Sequence, residues 1–340
     1  MTDVMPLVSV CIANYNGMEV IDDCLCSVLG QEGNIPVEIL VHDDASNDGS
    51  AAYIRSRYPE AKLIESPENV GFCVANNRMA DVARGKYLLL LNNDAALYRD
   101  ALQTLLSEAN RLDQPAILGL PQYDAASGEM IDIGSMFDPF LNPVPNRNPE
   151  RGDVGMVIGA CLWIPITLWN ELGGFPEWFG SIAEDMFLCC RARLTGFAVR
   201  ALPVSGYHHW QGKSFSGSRV TNGRLSSTFR RRALSERNKS FVMIVCFPTP
   251  LLLLILPIHL LVLAAEGSLL ALVKRDLQLW QGIYWTCFSN IWCERQRLAF
   301  TRSTVQAGRR ISLAQWMSVF TIFPHKLRLL VRYGLPEVRQ

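Results

Sequence analysis

Two of the commonest nucleotide-binding signatures are missing from this 340-residue chain, which has neither G-x-G-x-x-G nor G-x-x-x-x-G-K-[ST]. The usual dinucleotide fingerprint and a P-loop are thereby excluded, so any nucleotide must be held by other means. Zinc-type cysteine spacing is missing as well. Of the ten cysteines, Cys24-Leu25-Cys26 and Cys189-Cys190 lie too close for paired ligands, and several others sit inside apolar runs. Reduced thiols that pack as small hydrophobes fit this pattern. No basic n-region followed by an apolar stretch opens the chain, so no secretory signal is expected, and there is no internal repeat. Scarcest of all is acid in the second half. Residues 186–340 hold 5 acidic and 22 basic side chains, whereas residues 1–185 hold 27 acidic and 10 basic. The net charge of zero hides halves of −17 and +17, an asymmetry that suits a basic region facing nucleic acid, polyphosphate or an anionic membrane.

What is present begins with Leu88-Leu89-Leu90-Leu91, which stops abruptly at Asn92-Asn93-Asp94. Such a run reads as a buried parallel strand, although an apolar stretch this short could also be helical. Strands are expected over 7–13, 37–41, 62–64 and 87–91, with helices at about 21–29, 50–58 and 71–84. This βαβ rhythm predicts an α/β fold with a doubly wound, mostly parallel sheet. The pattern weakens from Pro115 to Gly155 and returns over 156–200, where a helix at Met186–Leu194 and a strand at Val199–Val204 are expected. Residues 211–228, rich in Gly, Ser and Thr, read as a mobile loop.

From Phe241 to Ala265 there are 25 residues without a charge, long enough to cross a bilayer. Pro248, Pro250 and Pro257 argue against a straight span. Trp280, Tyr284, Phe288, Ile291 and Trp292 follow at helical spacings between Lys274-Arg275 and Arg295/Arg297, as suits a helix lying in the headgroup layer. A buried core hairpin is the competing reading.

The chemistry should lie at the strand ends, where open α/β sheets bind their ligands. Asp43 and Asp44 end the second expected strand and Asp94 the fourth, so they face one crevice. A carboxylate there can accept from a pyrimidine imide N–H or a ribose hydroxyl, and another can hold a divalent cation that neutralises a diphosphate.

These residues carry a resemblance. Val8-Ser9-Val10-Cys11-Ile12-Ala13-Asn14-Tyr15-Asn16, Asp43-Asp44-Ala45-Ser46-Asn47-Asp48-Gly49-Ser50, Asn69-Val70-Gly71-Phe72 and Asn92-Asn93-Asp94 are similar to the family 2 glycosyltransferases of the GT-A fold. Gly173-Gly174-Phe175, Glu184-Asp185 and Arg191 resemble that family's second signature. The match runs from residue 6 to about 240, and the nearest subgroup is the bacterial one that includes rhamnosyltransferases of surface-polysaccharide assembly.

The resemblance implies a nucleotide-sugar donor, with a dTDP- or UDP-sugar (dTDP-rhamnose among them) expected. Asp44 would contact the base, with Ala13 and Tyr15 lining its pocket, while Phe72, Asn76 and Asn77 would approach the ribose or sugar. Asn93 and Asp94 fall in the family's D-x-D motif, whose other acids are amides here. Asp94 would therefore carry most of the charge on an Mg²⁺ or Mn²⁺ ion, with either weaker affinity or help from His208, the preferred member of the His208-His209 pair. Lys213, Arg219 and Arg230-Arg231-Arg232 would clamp diphosphate. Asp185, with Glu184 beside it at a helix N-terminus that favours ionised carboxylates, would be the catalytic base. The family's usual Glu-Asp-x-Asp-Leu is Glu184-Asp185-Met186-Phe187-Leu188 here, and its Gly-Gly-Phe-Asp-Glu has Pro176 before Glu177, so the acceptor is the least defined partner.

The resemblance implies an inverting, metal-dependent transferase. It would act at the cytoplasmic face of the cell membrane, peripheral or monotopic, on a polyprenyl-diphosphate-linked or growing glycan. Residues 1–240 would be catalytic, with a nucleotide-binding half (1–114) and an acceptor half (115–240), and 241–340 a hydrophobic, basic helical region. A nucleotidyltransferase on a similar fold would need a Gly-rich loop with a basic residue after the first strand, which Asn14-Tyr15-Asn16-Gly17 lacks. In a nucleic-acid-binding module the positive charge would be interleaved with polar groove-reading elements, whereas here it surrounds a leucine-rich run, so no nucleic-acid partner is expected.

Overall fold

The computed structural model describes residues 5–210, 219–221 and 224–339. They fall into two compact units, the first made of residues 1–135, 145–192 and 197–214, the second of 136–144, 193–196 and 215–340.

Unit 1 is built on β1 (Val8–Asn14), α1 (Ile21–Leu29), β2 (Val37–Asp43), α2 (Ser50–Arg57), β3 (Ala61–Glu65), α3 (Phe72–Val82) and β4 (Tyr87–Asn92). Next come β5 (Ala95–Leu97), α4 (Ala101–Arg111), β6 (Ala116–Gly119), β7 (Gln122–Asp124) and β8 (Met130–Asp132). The short strands β9 (Ser135–Phe137) and β10 (Pro143–Pro145) lie where the chain passes between units. Then follow β11 (Cys161–Pro165), α5 (Ile166–Leu172), α6 (Glu184–Leu194), β12 (Ala198–Ala201) and β13 (Tyr207–His209). The main sheet has seven strands in the order β12-β6-β11-β4-β1-β2-β3. It is mostly parallel, as the βαβ rhythm predicts. Only β11 is reversed, antiparallel to both β4 and β6.

The leucine run is buried along its whole length, because helices cover both faces of such a sheet. α1 buries Ile21, Cys24, Leu25 and Val28 on one side, the spacing of a core-facing helical stripe. Register then sets the site: Asn14 of β1 lies opposite Asp43 of β2, and Ala13 opposite Asn92 of β4. Three strands therefore end at one level, each in a polar turn.

Unit 2 holds β14 (Arg219–Thr221), β15 (Arg224–Thr228), α7 (Phe229–Cys246) and α8 (Thr249–Lys274). α9 (Leu277–Leu279), a π turn at Trp280–Trp285, α10 (Thr286–Cys293), α11 (Arg295–Ala307), α12 (Leu313–Met317), α13 (His325–Tyr333) and β16 (Glu337–Arg339) complete it. α7 runs straight through position 240. The uncharged run is the end of α7 plus the start of α8, separated at Phe247-Pro248. Pro248 caps α8 and Pro250 sits in its first turn, where no N–H is needed; only Pro257 is inside the helix. The prolines therefore do less to interrupt this segment than their number predicts.

The aromatic stripe also differs from expectation. Tyr284 is fully buried, and Trp280, Phe288 and Ile291 pack around Leu263, Leu270 and Ile283. The outward aromatics are Trp285 and Trp292, the former standing at the end of the π turn, which shifts the helical register by a residue. Between the helices lies a buried charge network. Lys239 Nζ is 2.8 Å from Glu236, Lys326 Nζ 2.9 Å from Glu266, Lys326 also pairs with Glu236, and Arg232 pairs with Glu266 while donating to the Tyr284 hydroxyl at 3.2 Å.

Candidate active site

The turn after β1 is tied to the turns after β2 and β4 through Asn14. Its Nδ2 donates to Asp43 Oδ1 at 2.8 Å and to Ser50 Oγ at 2.9 Å, and its Oδ1 accepts from Asn93 Nδ2 at 2.9 Å. Gly17 makes room for this, since a Cβ there would stand 2.2 Å from Asn14 Oδ1 and 2.3 Å from Asn93 Nδ2. Asn93 is thus an internal brace. Tyr15 projects outward, 43% exposed, and Ala13 is half-buried.

Asp44 is buried, and its carboxylate is already engaged: Oδ1 accepts from Val70 N at 2.7 Å and Oδ2 from Gly71 N at 2.9 Å. It holds the Asn69-Val70-Gly71-Phe72 loop at the mouth of α3. Asn76, buried, donates to the Phe72 carbonyl. Asn77 instead exchanges two 3.0 Å hydrogen bonds with the Phe175 backbone, so it fastens α3 to the Gly173-Gly174-Phe175 turn.

Asp94 is buried and its Oδ1 lies 3.1 Å from Nε2 of His209, not of His208. Successive β-strand side chains point to opposite faces, and on β13 the alternation sends His208 against Tyr98 and Tyr123, with ring centroids 5.1 and 6.3 Å away. The sequence reading preferred His208; the fold puts its neighbour beside Asp94. One further carboxyl, Asp132 of β8, is pushed up to about 6 by burial, which hydrogen bonds from Ser135 and Gly134 only partly offset, and the His209 side chain is among the charges acting on it. Sequence spacing gave no sign of it, because β8 reaches β13 only through β7.

Asp185 opens α6, with Oδ2 accepting from Gly159 N at 2.9 Å and Oδ1 from Met186 N at 2.7 Å. Gly159 is also the point where Phe72 comes close: a Cβ there would lie 3.6 Å from Asp185 Cβ and 3.7 Å from Phe72 Cε1. The next residue, Ala160, accepts from Asn92 N at 3.0 Å, which links the end of β4 to the same place. Ile182 and Ala183, just before Glu184-Asp185, both have left-handed backbones, φ 72° and 67°. For a β-branched residue this is a strained state, costing about 1–3 kcal/mol, of the kind that gathers at functional sites. Glu184 is buried alongside Asp185.

Among the described residues no three His, Cys, Asp or Glu side chains gather into a complete metal shell. A carboxylate beside a buried imidazole whose Nδ1 has no partner nevertheless fits Mg²⁺ or Mn²⁺, ions bound through one or two protein groups with phosphate oxygens completing the shell. Lys213 lies outside the described residues, as do the side chain of Arg219 and most of the 211–228 loop. Arg232 is committed to Glu266 and Tyr284 inside unit 2.

Comparison with known proteins places this geometry. A 113-residue stretch is 37% identical to an uncharacterized protein of Mycobacterium tuberculosis, covering 33% of this chain; the match spans only 34% of that relative. Over 244 residues the chain is 26% identical to the N-acetylglucosaminyl-diphospho-decaprenol L-rhamnosyltransferase of the same species, covering 63% of this chain and 78% of the enzyme. In three dimensions it is similar to a mannosyltransferase from Pyrobaculum calidifontis, solved in complex with GDP-Man and Mn²⁺, with a TM-score of 0.53 and 18% identity over 90% of this chain and 88% of that one. Residues 9–165 match the profile of glycosyl transferase family 2. Residues 9–165 therefore carry a glycosyl transferase family 2 domain, and the central sheet they build has the fold of that solved neighbour.

Proposed function

We propose that this protein transfers a sugar from a dTDP- or UDP-sugar to a hydroxyl of a polyprenyl-diphosphate-linked or growing glycan, with inversion. The observation that carries the reading is the convergence of an Asp94–His209 pair at the end of β4 with Asp185 at the start of α6, joined through Asn92–Ala160 and Gly159–Asp185 hydrogen bonds. Asp185 takes the acceptor hydroxyl proton as that oxygen bonds to the anomeric carbon. The bond from that carbon to the diphosphate breaks in the same displacement, and the nucleoside diphosphate leaves with the electron pair. Asp44 and the loop it holds border the base, beside Ala13 and Tyr15, and Phe72 faces the sugar from the Asp185 side. Asp94 and His209 would hold the divalent ion, whose charge offsets that of the departing diphosphate. The names of the rhamnosyltransferase relative and of the mannosyltransferase complex support a nucleotide-sugar donor and a lipid-diphosphate acceptor.

The membrane part of the reading rests on α8. Its 26 residues have a mean hydropathy of 2.1 in their most apolar stretch. His259, Leu263, Gly267 and Leu270 are buried along one side, while Leu253, Leu254, Leu261 and Leu272 are more than 60% exposed on the others. A helix pinned on one side by its own unit and apolar on the rest suits shallow insertion on the cytoplasmic face. Release of nucleoside diphosphate from a panel of nucleotide sugars with Mg²⁺ or Mn²⁺ tests the activity. In parallel, calorimetry of the nucleoside diphosphate should show Mn²⁺-dependent binding that Asp94→Ala abolishes, because Asn92 and Asn93 cannot replace its charge. No turnover with any donor, or metal-dependent binding unchanged in the variant, would sink the assignment.

A further inference from the structure

Among the described residues of unit 2, α13 is the one amphipathic helix with no buried residue at any of its nine positions. Its inner side is held by Lys326, which reaches Glu236 and Glu266, and by His325 N, which donates to Asp138 at 2.7 Å. At 100° per residue, Leu330, Leu327 and Val331 share an arc of about 100° on the outer side. All three are exposed, Val331 at 82%, and the turn that leads into the helix exposes Ile322 at 96% and half of Phe323. Arg328 and Arg332 border the arc, lying over the Phe323 and Tyr333 rings at 5.6 and 5.2 Å. From Arg295 to Pro336 the chain carries eight Lys and Arg and no Asp or Glu.

We propose that α13 and the Ile322-Phe323 turn form an in-plane anchor for a bilayer rich in anionic lipid. Apolar side chains at the tip and along the arc enter the acyl boundary while the flanking guanidinium groups meet lipid phosphates, the division of labour of an interfacial helix. A second copy of the chain would bring Arg328 and Arg332 against their own counterparts, and a nucleic acid would leave Ile322 and Val331 in water. Charge complementarity therefore favours anionic lipid. The anchor is separable from the α8 contact proposed above and does not depend on the catalytic reading.

The test is flotation of the full chain with phosphatidylglycerol-containing and with pure phosphatidylcholine vesicles, together with hydrogen exchange of the 322–333 amides. Wild type should float with the anionic vesicles and its 322–333 amides should slow. Arg328→Gln/Arg332→Gln and Ile322→Asp/Val331→Asp should each bind these vesicles about tenfold less well, with unchanged melting temperature and unchanged donor turnover. An α8 variant, Leu254→Ser/Leu261→Ser, should keep the 322–333 protection. Equal binding by both α13 variants and wild type, equal binding to neutral and anionic vesicles, or 322–333 protection that follows protein concentration without lipid would each overturn the proposal.

Discussion

At the scale of single residues, Asp185 has the most specific surroundings. Two backbone N–H groups, from Gly159 and Met186, point at its two oxygens, and hydrogen bonds of this kind favour the ionised form that a base needs. Asp185→Asn keeps the shape and loses the ability to accept a proton. Donor affinity should stay near wild type while turnover falls on the order of 10²–10⁴-fold, the usual worth of a general base. The amide also turns its NH₂ toward one of those N–H donors, so a stability loss of roughly 1–3 kcal/mol accompanies it. Calorimetry, single-turnover rates and melting separate these effects, and loss of donor affinity together with rate would make Asp185 a binding residue. Two adjacent histidines are equivalent in a sequence, and only strand alternation, fixed by pairing with β5 and β7, decides which one meets Asp94.

At the scale of elements, α8 packs by close approach. A Cβ on Gly267 would stand 2.4 Å from Cε3 of Trp280 and 2.6 Å from Cδ2 of Tyr284, two rings stacked on each other. Helix propensity alone says that Gly267→Ala should stabilise by about 1 kcal/mol. The packing says otherwise: the buried Tyr284 ring and the partly buried Trp280 ring must shift, a cost of about 1–3 kcal/mol, and the variant should melt lower than wild type. A raised melting temperature would show that the Trp280–Tyr284 pair yields freely. The periodicity of α1 was readable because Ile21, Leu25 and Val28 lie on one stripe that faces the sheet. The aromatic segment after α8 was readable as helical but not as to its facing, because the π turn that moves Trp285 outward leaves no mark on spacing.

At the scale of the whole molecule, residues 215–340 carry 18 basic and 5 acidic side chains. Glu236 and Glu266 are already spent on the buried network with Arg232, Lys239 and Lys326. Exposed cations such as Arg328 and Arg332 can meet an anionic surface, each worth about 1 kcal/mol close to headgroups, and the exposed leucines of α8 add apolar insertion. Salt screens the first contribution and not the second. Wild type should therefore stay on membranes through a high-salt wash, whereas Leu254→Ser/Leu261→Ser should be released by it. A full-length protein that remains in solution without detergent and ignores anionic vesicles would rule out membrane docking through α8.

The sequence alone determined the βαβ order, the mostly parallel sheet, the strand-end positions of Asp44 and Asp94 and the helix-start position of Asp185. These follow from local hydrophobic period and from turn residues a few positions away, and both are written along the chain. Tertiary structure alone decided that Asp44 clamps Val70 and Gly71, that Asn77 binds the Phe175 backbone, that β11 runs backwards, and that Arg232 is sealed in a charge network. Each of these depends on which distant backbone groups come within hydrogen-bonding distance, or on the direction of a strand. Such pairings are made over tens of residues by sheet register and helix packing, so no local pattern can specify them.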